Sequence, residues 1–169
     1  MKRNATDLLC LLALLLAGLV FASSRYREGI DLGDEGFLAA GAARVLAGEV
    51  PHRDFFSLQP PLSFYTGALA LETLGPSLGS LRELGLGLHL AVIALVYGLA
   101  RTVSGPAIAF VAASPSIVLG LPLFGFVPFA VWHGITFSLA SACLVLRGSI
   151  TGRRGWSLAS PDAKRRARC

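Results

Sequence analysis

The sequence predicts an all-α fold, a multispanning transmembrane helical bundle of about four spans with interfacial helices in its first extracytoplasmic loop. Three observations carry this. Hydrophobic residues make up 54% of the 169 and charged residues only 15%, the mean hydropathy is +0.65, and the apolar residues gather into runs near the roughly 20 residues that cross a bilayer as a helix. The net charge of +5 does not point to nucleic acid, because the Lys and Arg residues flank apolar segments or cluster near the end, where they orient a chain in a membrane.

The first apolar run, Leu8 to Ala22, follows Met1-Lys2-Arg3. That is also how a secretory signal begins, and Val20-Phe21-Ala22 fits a cleavage site. A cytoplasmic start, which lets the later segments thread consistently, favours a retained span. Three further spans are expected over Leu84 to Ala100, Pro106 to Leu121 and Phe124 to Leu146. Pro61 to Gly75 is shorter and carries Glu72, so it either spans or lies in the interface. If it does not cross, ten Lys and Arg residues fall inside and five outside (Arg25, Arg27, Arg44, Arg53 and Arg82). If it does cross, the seven basic residues from Arg147 to Arg168 move outside, against the positive-inside rule. The preferred arrangement is therefore a single membrane domain over 1–169. Both termini are cytoplasmic, the extracytoplasmic loop covers 23–83, and the basic cytoplasmic tail covers 147–169.

That loop is long for a connection, and its aromatic and apolar content argues against disorder. Gly36 to Ala47 places Leu38, Ala42, Val45 and Leu46 on one side at helical spacing, as a short helix lying on the bilayer would, with Gly48 as its stop. Val50 to Phe56 is read as an extended piece before a second helix. The chemistry-bearing residues are Asp34 and Glu35, in Gly33-Asp34-Glu35-Gly36-Phe37 at the start of the first loop helix. Carboxylates are favoured there by exposed backbone N–H groups, so an N-cap is the plain reading. At the headgroup plane an Asp can instead act as general base, taking the proton of an acceptor hydroxyl as its oxygen attacks an activated carbon. A phosphate leaving group would need Arg, Lys or a divalent metal ion nearby.

The order of an N-terminal span, Asp34-Glu35-Gly36-Phe37, an Ala-rich helix, the run Gly48 to Tyr65 (GEVPHRDFFSLQPPLSFY), then Leu74-Gly75-Pro76-Ser77-Leu78 and a span ending Gly98-Leu99-Ala100-Arg101 resembles the N-terminal part of glycosyltransferase family 39. These are the protein-mannosyltransferase-like membrane enzymes of the GT-C superfamily. The resemblance covers about Leu8 to Leu146 and is most specific over Asp34 to Tyr65. It implies transfer of a sugar from a polyprenyl-phosphate-linked donor to an acceptor hydroxyl on the outer side of a bacterial plasma membrane. Asp34 would be the catalytic base and Glu35 its companion, for structure or for a metal.

The chain departs from the lipid A aminoarabinose transferases of that group, which carry a basic residue after the Asp-Glu pair and Glu-Lys-Pro before the second loop helix. Here those places read Gly36-Phe37 and Leu58-Gln59-Pro60. A transferase with another acceptor fits better. His52, Arg53, Gln59 and Arg82 are then the candidates for holding the donor, with headgroup-facing charge as the plain alternative for the basic three. Family members are several times longer, so the chain looks truncated, its bundle completed by a missing C-terminal part or a partner subunit. The competing class is a non-enzymatic membrane subunit or small transporter component.

The remaining polar residues carry less. Cys10, Cys143 and Cys169 make no disulfide framework, and the three histidines are too scattered for metal-ligand spacing. His89 and His133 lie within apolar segments, where a hydrogen bond to a neighbouring helix is the expected state.

Overall fold

The computed structural model describes residues 5–25, 33–119, 127–128 and 130–150. It is helical throughout, with no strand among the described residues. The elements are α1 (Ala5–Arg25), α2 (Asp34–Leu46), α3 (Pro61–Leu74), α4 (Leu78–Val103), α5 (Pro106–Ala113) with a 3₁₀ turn (Ser114–Ile117), and α6 (Ala130–Ile150). Three of them, α1, α4 and α6, are long and apolar enough to cross a membrane.

The contacts between these three set their directions. Asp7, in the first turn of α1, is paired with Arg101, in the last turn of α4, and farther along the side chains of Ile93 and Leu90 press on Gly18. The two helices are therefore antiparallel. Helix α6 runs parallel to α4. Trp132 at its start shares a cluster with Leu86, Leu88 and Ala22, and later Cys143 Sγ meets the Leu95 carbonyl at 3.5 Å. The start of α1 and the ends of α4 and α6 thus lie at one end of the bundle, with the α2–α3 layer at the other. Ala22, the last residue of the cleavage-like run, is buried in that cluster.

Each helix boundary has a local cause. Helix α4 starts six residues before the expected Leu84, because Ser77 caps it by accepting from the Ser80 N–H. Pro61 and Pro106 occupy first-turn positions, where a missing N–H costs nothing. Gly48, at φ +91°, follows the end of α2 as expected, and Gly75, at φ +108°, ends α3.

The expected span Pro106–Leu121 differs from its sequence reading. Its described helix ends at Ile117, twelve residues and about 20 Å from its start, short of the roughly 30 Å of a hydrocarbon core. Pro115 is the physical reason, since it lacks an N–H and turns the last residues into the tighter 3₁₀ form. The backbone of Ile117 is hydrogen-bonded to His89, part-way up α4. By Val127 the chain is at the α2–α3 end, where that side chain packs with Leu38, Phe64 and Leu81. The start of the expected span at Phe124 and the basic tail beyond Ile150 lie outside the described residues.

The loop layer differs more. The face of α2 that the pattern assigned to the bilayer, Leu38 and Ala42, is buried against Phe64, Ala68 and Leu71 of α3. Protein covers it in place of lipid. Val50 to Phe56 is not extended but closes on itself. The Val50 carbonyl accepts from the Arg53 and Asp54 N–H groups, Asp54 Oδ2 accepts from the Val50 N–H at 2.8 Å, and Pro51 bridges to Phe55. His52 takes the left-handed conformation, φ +65°, at the tip.

Candidate functional site

An open cleft of about 440 Å³ lies at the loop end, lined by Gly33, Asp34, Phe37, Phe56, Ser57, Leu58 and Gln59. Two segments build it. The first is the opening turn of α2, where Gly33 takes the N-cap position without a side-chain bond and its carbonyl accepts the first helical bond from Phe37 N–H at 3.1 Å. Asp34 is therefore not the cap that the plain reading made it. It stands one residue inside the helix, lining the cleft. The second segment is the run into α3. Ser57 is buried, and its hydroxyl oxygen accepts from the Gln59 N–H at 2.9 Å. This tight turn puts Gln59 into the cleft wall and leaves Phe56 and Leu58 facing outward, 82% and 88% exposed.

The cleft thus joins one carboxylate and one amide to an apolar rim. Asp34 and Gln59 are the two sequence candidates that line the cleft. Glu35 turns the other way. Its carboxylate is buried and takes a two-pronged bond from Arg82, Nε to Oε1 at 2.6 Å and Nη2 to Oε2 at 2.8 Å. This pair fastens α2 to the first turn and a half of α4, so adjacent residues on one helix face different partners. The guanidinium of Arg82 is correspondingly engaged.

His52 and Arg53 are at the tip of the closed 50–56 loop, outside the cleft lining. Arg53 gives two bonds to Asp54, at 2.9 and 2.7 Å. That pairing, followed by the bond from the Val50 backbone, lowers the Asp54 pKa from 3.8 to about 2, and the Asp54 carboxylate raises that of Arg53. Arg44 braces the same loop, bonded to Glu49 at 2.7 Å and stacked 4.4 Å over the Phe55 ring.

The described residues contain no group of three or more His, Cys, Asp or Glu side chains able to hold a metal ion. With Glu35 on Arg82, the Asp-Glu pair does not converge on one ion. Cys10 and Cys143 are unbridged. His133 meets the expectation for an intramembrane histidine, with Nε2 3.0 Å from Thr66 Oγ1 of α3.

Phe37, Phe56, Ser57 and Leu58 were not among the sequence candidates for the site. Ser57, two residues before Gln59 and three before Pro60-Pro61, is the one with a readable signal, since Ser favours such turns. The pairing of Asp7 with Arg101 and Tyr97 at the far end of the bundle joins residues 90 and more apart, which no local pattern announces.

No family model, curated protein or solved structure matches this chain. What the site can do rests on its own chemistry: a carboxylate at a helix N-terminus, beside an amide, in a cleft with an apolar rim at one end of a bundle of membrane-length helices.

Proposed function

We propose that the chain is a membrane sugar transferase, or the N-terminal part of one. It moves a sugar from a polyprenyl-phosphate-linked donor to an acceptor hydroxyl at the extracytoplasmic face of a bacterial plasma membrane, with both termini on the cytoplasmic side. The supporting observation is that Asp34 lines an open cleft whose rim, Phe56 and Leu58, is apolar and exposed. A lipid-linked donor needs such a combination. In the reaction, the Asp34 carboxylate takes the proton of the acceptor hydroxyl and the freed oxygen bonds to the anomeric carbon. The bond from that carbon to phosphate breaks, and polyprenyl phosphate leaves as the anion. Gln59 is placed to donate a hydrogen bond to donor or acceptor. His52, Arg53 and Arg82 remain the candidates for holding the phosphate, and Arg53 and Arg82 must first exchange their carboxylate partners.

The test uses membranes containing the native polypeptide and a panel of labelled short-chain polyprenyl-phosphate sugars. Transfer of label to a membrane acceptor is expected, with Asp34→Asn lowering it by about 10² to 10⁴ while insertion is unchanged. Normal transfer by Asp34→Asn would remove Asp34 as base. The second reading, a non-enzymatic subunit or transporter component, draws on Glu35, whose carboxylate serves to join helices. It predicts no transfer by the parent protein with any donor.

A further inference from the structure

The segment Phe55 to Leu71 is 17 residues long without a charged side chain, between Asp54 and Glu72. Its helical part, α3, has two unlike faces. One carries Phe64, Ala68 and Leu71, buried against α2 and Leu81 of α4. The other carries Leu62, Tyr65 and Leu69, at helical spacing and 42 to 59% exposed, continued before the helix by the more exposed Leu58 and Phe56.

Two facts bear on what covers this second face. The Thr66–His133 bond holds the middle of α3 beside the first turn of α6, a helix of membrane-spanning length. One turn on from His133, Phe137 of α6 is likewise apolar and exposed. Helix α3 itself has 14 residues, about 21 Å, too short to cross. A short helix beside the entry turn of a span, with an outer face that is apolar as far as Leu69 and carries its one carboxylate, Glu72, in the last turn, fits the depth where acyl chains meet headgroups. Tyr65 in the middle of that face suits the boundary, since its ring is apolar and its hydroxyl reaches polar groups.

We infer that the outer face of α3, with the Phe56–Leu58 tip, is seated in the acyl chains of one leaflet. The occupant is membrane lipid. The face is nearly all hydrocarbon from Phe56 to Leu69 and lies beside a span, with Gln59 turned into the cleft wall and its one charge, Glu72, at the far end. The cleft at Asp34 then opens along the lipid–water boundary, with Phe56 and Leu58 as a wall that lipid touches. The inference stands whether or not sugar transfer takes place there.

Single-tryptophan reporters test it in the full chain, with Trp132→Phe and Trp156→Phe as background. Leu58→Trp, Leu62→Trp and Leu69→Trp report on the face, and His52→Trp is the control. In vesicles of phosphatidylcholine brominated at acyl positions near the headgroup, the three reporters are expected to lose about half their emission, as groups buried some 5–10 Å into the interface would. His52→Trp should lose little and be quenched by acrylamide instead. Reporters quenched by acrylamide like the control would overturn the inference, and so would reporters reached by neither quencher, which would mean that protein covers the face. Leu62→Cys and Leu69→Cys, with the three native cysteines replaced by alanine, give a second reading that spares Trp132. Labelling by a water-soluble maleimide should be at least tenfold slower than for His52→Cys in the same vesicles, and equal rates would overturn the inference.

Discussion

The α2–α3 layer and the spanning bundle are packed around different centres. In the layer, the centre is one aromatic side chain. Phe64 is fully buried, with Phe37 and Phe55 meeting its ring edge-on at centroid distances of 5.8 and 5.6 Å, and charged residues gather at the loop tip. In the bundle, small residues share the interior with Leu14 and Ile93, both fully buried. Ala109 and Ala113 are fully buried, Gly18 lies beneath Ile93, and Leu8, Leu9, Leu12 and Leu16 of α1 face outward. Water drives the first arrangement, because burying hydrocarbon is favourable there. Lipid removes that drive between spans, leaving close van der Waals approach and polar contacts to hold helices together. One ion pair at each end, Glu35–Arg82 and Asp7–Arg101, joins elements far apart in sequence.

The strongest way to break this contrast is to remove one partner of the buried pair between the two regions. Glu35→Ala leaves the Arg82 charge largely buried and is expected to cost about 3–5 kcal/mol, measured by thermal unfolding in detergent. Glu35→Gln, which keeps some hydrogen bonding, should cost less.

Next comes the shape of the layer. A Cβ at Gly41 would sit 2.3 Å from the Phe64 ring, and that ring has no free space around it. Gly41→Ala should destabilise the layer by about 1–3 kcal/mol, seen as earlier proteolysis of the 33–77 region while α1 and α4 stay protected.

Asp34→Asn separates chemistry from structure. The side chain is exposed on an open cleft and Asn keeps its size and shape, so unfolding should move by no more than about 0.5 kcal/mol even as transfer is lost. A large fall in stability would assign Asp34 to the fold.

The smallest effect is on pH. Because the folded carboxyl of Asp54 titrates at about 2 instead of 3.8, its contribution to loop order is present above pH 4. It fades as the pH falls through 4 toward 2, when the group takes up a proton and releases Arg53. Exchange of the Asp54 N–H should quicken across that window relative to amides of α4, and Asp54→Asn should show the quicker exchange at neutral pH.

Much of this architecture was legible in the chain. The runs that became α1, α4 and α6, the helix ending at Gly48 and the polar contact of His133 follow from apolar length, turn chemistry and the cost of a lone polar group in hydrocarbon. The cleft was legible in part. Asp34 stood out by its place at a helix start, whereas Gln59 was read only through the family resemblance. That they share one cleft was not legible, because it depends on the Ser57 turn and on α2 lying against α3.

What the sequence alone determined, then, was the solvent and the set of helices, since both are read from local composition and period. Tertiary structure decided the partners. Leu38 and Ala42 look out to lipid by pattern yet face α3, and Glu35 looks like a companion of Asp34 yet belongs to Arg82. Periodicity shows which face of a helix is apolar. What covers that face depends on where distant elements come to rest, a matter of packing between residues 20 to 50 positions apart.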